Sequence, residues 1–220
     1  MSVVTISREF GSEGSTIARQ VARKLGYYFV DKDVMGQVLI QYGFVEFKQG
    51  YDSVPSFWAS FDLRRVEMVR MLNRVVWALA RHNDVVILGR GSFAVLNGFT
   101  DVLNVRIQAP LSLKIKRVMA RENIDNVEQA EALVEENHKV RSMFIEWFYN
   151  VPWDIASAFD IVLDTSKVPP QLAVDWLVDT VNAMNEIKTG GEQTTRALEV
   201  DPILATVVAE VLENQVAVAA

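Results

Sequence analysis

The first residues whose types and order could do chemistry lie in residues 7–16, which read SREFGSEGST. This stretch follows a short β-branched run at residues 3–6 and leads into a helical pattern at residues 16–25. A turn between a strand and a helix N-terminus directs backbone N–H groups and the positive end of the helix dipole toward one point. The stretch therefore predicts a phosphate-binding loop, and the alternative is an ordinary tight turn.

The loop matches the phosphate-binding pattern G-x-x-x-x-G-K-[ST] only in part. Arg8 and Glu13 fall on the two glycine positions, and Gly14 falls on the lysine position. Ser15 then supplies the hydroxyl that binds magnesium, although a serine at such a point is also a common helix N-cap. The predicted nucleotide contacts are Arg8, Gly11, Ser12, Glu13, Gly14, Ser15 and Thr16.

The composition narrows the class of protein. The chain has 220 residues, of which 50% are hydrophobic, so it is long enough for one domain with a sizeable core. It contains no cysteine and only two histidines, which excludes disulfides, a thiolate nucleophile and a Cys- or His-rich metal site. A net charge of −6 argues against general nucleic-acid binding. No leader-like segment or long apolar run occurs, so we expect a cytoplasmic protein with no membrane partner.

Strand and helix patterns alternate along the chain, which predicts an α/β fold. Each strand pattern is apolar, and they occur at residues 3–6, 27–30, 85–88, 102–109 and 159–164. Such strands form a parallel sheet that is covered by helices on both faces, with the ligand crevice at the carboxyl ends of the strands. The loop, Asp31 and residues 89–91 are therefore expected at one edge of the sheet.

The helical patterns differ in how much of their surface is apolar. They cover residues 16–25, 33–42, 62–83, 110–121, 126–149 and 169–187. Asp33 is expected to cap the second of these helices, and residues 126–149 are polar enough to be solvated on most faces. Residues 189–195 form a linker by composition. Pro202 then starts a last helix whose apolar stripe either packs on its own domain or forms a homodimer contact.

Five short segments together resemble the cytidylate kinase-like family. They are residues 6–14 (ISREFGSEG), 31–33 (DKD), 89–91 (GRG), 109–110 (AP) and 159–166 (FDIVLDTS). The resemblance covers residues 1–187 and implies a nucleoside monophosphate kinase fold, with a P-loop core of three α/β/α layers around a five-stranded parallel sheet. It also implies a substrate-binding insertion at about residues 43–60 and a helical lid at about residues 121–154. Residues 188–220 would form a linker and a C-terminal helix.

The resemblance also implies a reaction. Such a kinase transfers a phosphoryl group from ATP, with Mg²⁺, to a small-molecule acceptor, here a nucleoside monophosphate such as CMP. Because the transferred group is anionic, catalysis depends on positioning and on positive charge. The arginines expected to supply that charge are Arg90, Arg117, Arg121 and Arg141. Asp31 and Arg90 are the expected acceptor contacts, although Asp31 could instead cap the next helix.

The chain departs from the family pattern at Glu13, which replaces a glycine, and at Ser15 and Thr16, which replace an arginine and a glutamate. His138 also stands where the family often has aspartate. A carboxylate beside a phosphate weakens its binding. Two functions are therefore weighed: a nucleoside monophosphate kinase, and a weakly active or inactive relative that binds nucleotide or regulates. Phosphorylation of an acceptor that is not a nucleotide is a third, because the scaffold does not fix the acceptor.

Overall fold

The core of the protein is a sheet of five parallel strands in the order β2-β3-β1-β4-β5. The computed structural model describes residues 2–44, 63–187 and 193–219. The strands are β1 Val3–Arg8, β2 Tyr28–Val30, β3 Val85–Leu88, β4 Val102–Gln108 and β5 Ile161–Asp164. β-Branched residues dominate these segments because they fit the pleated, buried surface of a central sheet. The predicted parallel sheet is confirmed.

The register of the sheet brings the functional loops to one edge. β1 is the central strand, and Ile6 is aligned with Leu88 of β3 on one side and Val105 of β4 on the other. The chain therefore leaves β1, β3 and β4 at nearly the same level, and residues 9–13, 89–91 and 109–110 follow directly. Parallel strands bind ligands at this carboxyl edge.

The helices described by the structure cover both faces of the sheet. They are α1 Gly14–Leu25, α2 Lys32–Gln41, α3 Leu63–His82, α4 Ser92–Val95, α5 Leu111–Glu122, α6 Val127–Tyr149, α7 Pro170–Glu186 and α8 Pro202–Ala219. Short 3₁₀ turns occupy Ala156–Ala158 and Thr195–Ala197. The sequence patterns predicted every one of the longer helices, but not the single turn α4.

Two apolar clusters hold the three layers together. On one face α1 and α7 pack on β1 and β3 through residues such as Ile17, Val21 and Leu177. On the other face α2, α3 and α8 pack on the sheet. Alternate residues of each strand point to opposite faces, so Val85 belongs to one cluster and Val86 to the other. The fold is a three-layer α/β/α structure.

Two details of the helices differ from the sequence expectations or decide between them. Asp31, not Asp33, caps α2, because the Asp31 carboxylate accepts hydrogen bonds from the backbone N–H groups of Asp33 and Val34. The C-terminal half of α6 is not solvated on most faces, since Phe144 and Ile145 are buried in the core.

The apolar stripe of α8 packs on its own chain. Its buried members lie in the cluster shared with α2 and α3, and they are Leu204, Val207, Val208, Val211 and Leu212. Ile203 alone among the six stripe residues is strongly exposed. The stripe that suggested a homodimer is therefore already covered within the chain.

The proposed substrate-binding insertion at residues 43–60 lies almost entirely outside the described residues. Within the segments that the structure does describe, no helix combines the length and the apolar character needed to cross a membrane.

Candidate functional site

The loop between β1 and α1 has the backbone of a tight, glycine-dependent turn. Gly11 and Glu13 both adopt left-handed conformations, with φ values of 81° and 66°. The Ser12 hydroxyl donates to the carbonyl of Glu9 at 2.9 Å, which closes the turn internally. Gly14 begins α1 and lies against Arg8, because a Cβ atom on Gly14 would sit 2.5 Å from the Arg8 Cβ. The loop therefore bends sharply and leads directly into the positive end of α1.

The side chains at the start of α1 are open to the site. Ser15 and Thr16 are both exposed, and the structure gives neither hydroxyl a hydrogen bond within the described part of the chain. Glu13 precedes them as the N-cap residue, but its carboxylate caps no backbone N–H group. The Glu13 carboxylate instead lies 4.0 Å from the Arg117 guanidinium. The loop's extra negative charge is thus partly balanced from α5.

Arg90 lies in a turn built from consecutive left-handed residues after β3. Gly89, Arg90 and Gly91 have φ values of 75°, 59° and 72°. A Cβ atom on Gly91 would lie 2.3 Å from the ring of Tyr149, so a glycine is required where α6 approaches the turn. Burial raises the pKa of the Tyr149 phenol, and the nearby Arg90 works in the opposite direction. Arg90 is therefore close to the end of α6.

Arg141 joins the loop to α6. Its guanidinium donates to the Arg8 carbonyl at 3.0 Å and lies 5.8 Å from the centre of the Phe10 ring. The Arg121 guanidinium lies 4.5 Å from the same ring centre. Burial lowers the pKa of Arg141 to about 10, with the charges of Arg90 and Arg121 adding to the effect and that of Glu9 opposing it.

These contacts bring together three of the four predicted catalytic arginines. Arg90 comes from the end of β3, Arg121 from α5 and Arg141 from α6. The charges of Arg90 and Arg121 both act on Arg141, and Arg121 and Arg141 lie over Phe10 of the loop. Like charges at close range repel one another, so such a cluster favours the binding of an anion. The arrangement is therefore a candidate phosphate site.

Arg117, the fourth predicted arginine, is engaged with protein groups. Its guanidinium donates to the Thr165 hydroxyl at 2.8 Å, to the Thr165 carbonyl at 3.1 Å and to the Gly11 carbonyl at 3.4 Å. The Thr165 hydroxyl donates in turn to the Ser12 carbonyl at 3.0 Å. Arg117 thus connects α5, the loop and the end of β5.

Asp31 is paired with protein groups, and Lys139 is exposed to solvent. Besides capping α2, the Asp31 carboxylate pairs with Arg19 at 3.0 Å. Lys139 is exposed, whereas Arg141 turns toward the loop, as expected for residues two apart on a helix.

Sequence reasoning missed a charged group at the base of the loop. Glu9 lies between Arg106 of β4 and Lys114 of α5, at 3.4 Å and 2.9 Å respectively. The sequence carried one signal for this group, because Arg106 is the one charged residue of strand β4 and a buried charge needs a partner.

The comparisons with known proteins identify the family of the chain. The model of the cytidylate kinase-like family matches residues 3–167. The chain belongs to the cytidylate kinase-like family. The cytidylate kinase of Methanocaldococcus jannaschii is 26% identical over 167 residues, which cover 75% of this chain and 89% of that enzyme. The cytidylate kinase of Ignicoccus hospitalis is 29% identical over 179 residues, which cover 80% and 97% of the two chains.

Solved structures share the fold of this cytidylate kinase-like protein. An uncharacterized protein from Eubacterium ventriosum is 20% identical, has a TM-score of 0.62, and is matched over 83% of this chain and 99% of its own. TT1252 from Thermus thermophilus is 18% identical with a TM-score of 0.51, over 85% of this chain and 98% of its own. Identities this low establish the three-layer fold alone. Family and fold together are those of P-loop kinases.

The side-chain hydroxyl at the start of α1 suits a Mg²⁺ ion that binds together with a nucleotide. Within residues 2–44, 63–187 and 193–219, no group of three or more His, Asp or Glu side chains converges to hold a metal by itself. Mg²⁺ takes oxygen ligands, keeps several waters and is often bound by one or two protein groups plus substrate phosphates. The exposed Ser15 hydroxyl at the start of α1 is a suitable single ligand.

Proposed function

We propose that this protein is an ATP-dependent phosphotransferase whose acceptor is a nucleoside monophosphate, with CMP as the first candidate. The observation that carries the proposal is the convergence of Arg90, Arg121 and Arg141 beside the loop at the start of α1. Two phosphate-bearing substrates and an anionic transferred group need such a cluster of cations. The named activity of the archaeal relatives supports the acceptor class.

The proposed donor site is the loop. Backbone N–H groups of residues 11–16 and the N-terminus of α1 bind the donor phosphates, as helix N-termini bind anions in general. Ser15 would hold Mg²⁺, and the ion would supply positive charge to the transferred group. Because the loop has no lysine, Arg121 and Arg141 provide the side-chain cations. Arg117 keeps the loop in place through its bonds to Gly11 and Thr165.

The proposed acceptor site lies across the sheet edge from the donor. Arg90 binds the acceptor phosphate and holds it in line with the donor. Asp31, which follows β2 and caps α2, would contact the acceptor's sugar or base. Residues 121–154 act as the lid, since α6 carries Arg141 to the loop. Residues 43–60 are the proposed acceptor-binding insertion.

A panel of acceptors tests the proposal. Purified protein with magnesium-ATP is assayed against CMP, UMP, AMP, GMP and their deoxy forms, and at least one is expected to be phosphorylated. Arg90→Ala should lower kcat/KM by about 100-fold, the usual effect of removing one group that binds developing charge. Arg23→Ala is the matched control, because Arg23 is exposed at the opposite end of α1 and should leave turnover unchanged.

A second candidate function rests on the loop itself. Glu13 occupies a glycine position and the loop has no lysine, which favours a weakly active or inactive relative that binds nucleotide. Turnover of no acceptor, combined with nucleotide binding by calorimetry, would establish this alternative. If the protein phosphorylates a small molecule that is not a nucleotide, the kinase assignment stands and the proposed acceptor class is wrong.

A further inference from the structure

Glu9 holds the base of the loop through a largely buried charge cluster. Its side chain is 12% exposed, and those of Arg106 and Lys114 are 4% and 10% exposed. One carboxylate oxygen accepts from Lys114 Nζ at 2.9 Å and from the Ala109 backbone N–H at 3.3 Å, and the other from Arg106 at 3.4 Å. These donors come from β4, from the residue after it and from α5, so one carboxylate connects three segments.

The cluster lies between the two contacts that orient Arg141. Arg141 donates to the carbonyl of Arg8, which precedes Glu9, and its guanidinium lies over Phe10, which follows. Fixing the Glu9 side chain therefore fixes the backbone on both sides of it. Phe10 also lies under Arg121. A shift of residues 8–10 would move two of the three clustered arginines.

The same cluster reaches the far end of the helix that carries Arg141. Arg106 donates to the Trp153 carbonyl and pairs with Asp154 at 3.1 Å, in the segment that follows α6. Lys114 also lies against the loop, because a Cβ atom on Gly11 would sit 2.9 Å from the Lys114 carbonyl oxygen. Glu9 and its two cationic partners thus connect the loop to α5 and to the segment that follows α6.

We propose that Glu9 is a positioning residue, which Lys114 and Arg106 hold so that residues 8–11 keep the conformation that binds nucleotide phosphate. The reference to nucleotide rests on the proposed function. In a loop with no lysine of its own, the proposed cations for the donor phosphates, Arg121 and Arg141, come from α5 and α6, so their alignment depends on how the loop is anchored. A cluster that only stabilises the fold would leave nucleotide affinity unchanged in a folded variant.

The test compares Glu9→Gln, Lys114→Met and Lys114→Arg with the wild-type chain. Amide hydrogen exchange without nucleotide reports the loop directly. We expect residues 9–14 to exchange at least tenfold faster in the first two variants, while residues 3–6 of β1 keep wild-type rates. Lys114→Arg keeps the cation and should stay within about twofold of wild type. Lys24→Met, which removes an exposed ion pair with Asp175, is the matched control and should leave the loop unchanged.

Nucleotide binding supplies the second measurement. At a temperature well below unfolding, Glu9→Gln and Lys114→Met should each weaken ATP binding about tenfold, and the double variant should weaken it no further. Two results would overturn the proposal. One is an unchanged rate of amide hydrogen exchange at residues 9–14 in Lys114→Met, and the other is unchanged ATP affinity in a variant in which those residues exchange faster. Wild-type protein that binds no ATP would refute the proposed function separately, because the exchange rates would still decide whether Glu9 anchors the loop.

Discussion

Glu13 combines an unfavourable backbone conformation with an unfavourable charge. Its φ of 66° lies in the left-handed region, where a side chain costs about 1 kcal/mol relative to glycine. Its carboxylate caps nothing and lies beside the proposed donor site, with Arg117 at 4.0 Å as its neighbour. Natural loops retain such strain where other contacts hold the conformation, as the bonds from Arg117 and Thr165 do here.

Two substitutions separate the strain from the charge. Glu13→Gly should raise the free energy of unfolding by about 1 kcal/mol, because glycine adopts this conformation without a steric cost. Glu13→Ala keeps the Cβ atom and should give no such gain. Both should tighten ATP binding if the carboxylate repels phosphate. Urea unfolding and calorimetry measure the two effects, and equal stability of the two variants would show that the backbone is not strained.

Arg141 is expected to weaken the fold slightly while it supports function. Burial and the neighbouring arginines lower the pKa of Arg141 to about 10 in the folded chain, so its charge costs stability at every pH below about 10, and the cost disappears as the pH rises from there toward the ordinary pKa of an arginine. Arg141→Met should therefore change the free energy of unfolding by less than about 1 kcal/mol, since the lost hydrogen bond offsets the relieved burial. It should nevertheless lower kcat/KM about 100-fold.

Arg117 is expected to contribute more to stability than Arg141 does. Its guanidinium donates to a hydroxyl and to two backbone carbonyls. Arg117→Met should therefore cost about 2 to 3 kcal/mol, because hydrogen bonds from a charged group are the stronger ones and the carbonyls lose their donor. Denaturant unfolding at pH 7 compares the two variants. If Arg141→Met greatly lowers the free energy of unfolding, the burial of the Arg141 guanidinium is not unfavourable and the prediction is wrong.

At the scale of the elements, α8 is part of the core. Leu204 and Leu212 are fully buried against α2 and α3, whereas the neighbouring Ile203 is 68% exposed. An amphipathic helix gains most of its stability from packing such a face. The helix therefore stabilises the same domain that carries the site, even though a linker-like segment precedes it.

A pair of adjacent substitutions tests the role of α8. Leu204→Ala should lower the free energy of unfolding by about 2 to 5 kcal/mol, as expected for a leucine removed from a packed core. Ile203→Ala should change it by less than about 0.5 kcal/mol, because the side chain is exposed. Urea unfolding gives both values. A small effect of Leu204→Ala would mean that α8 contributes little to the domain.

The elements also show which features were predictable. The run Val85–Leu88 is apolar throughout, as required of a strand buried on both faces, and it was identified from its residues alone. The cap of α2 was assigned to Asp33 instead of Asp31 because two aspartates stand two residues apart and local sequence cannot separate them. The contact between Glu9 and Lys114 joins residues 105 apart in sequence, and no local pattern encodes such a contact.

At the scale of the whole molecule, charge is unevenly distributed. The chain carries a net charge of −6, yet the charges of Arg90 and Arg121 both act on Arg141 beside one loop. A parallel sheet makes this separation possible, because loops distant in sequence meet at the carboxyl edge of the strands. A local positive field within an acidic protein attracts a small anion without attracting nucleic acid in general.

This distribution predicts a specific response to salt. The Debye length falls from about 10 Å at 0.1 M to about 3 Å at 1 M, so the attraction between the arginines and nucleotide phosphates should weaken. The KM for ATP should rise several-fold over this range, with a smaller rise in Arg121→Gln, which has lost one of the cations. Arg23→Gln, at the far end of α1, should keep the wild-type response. Steady-state kinetics at fixed free magnesium measures how KM changes with salt concentration in the wild type and the two variants. Salt ions always screen partly exposed cations. If KM does not change with salt in any of the three proteins, the clustered arginines therefore do not face the phosphates.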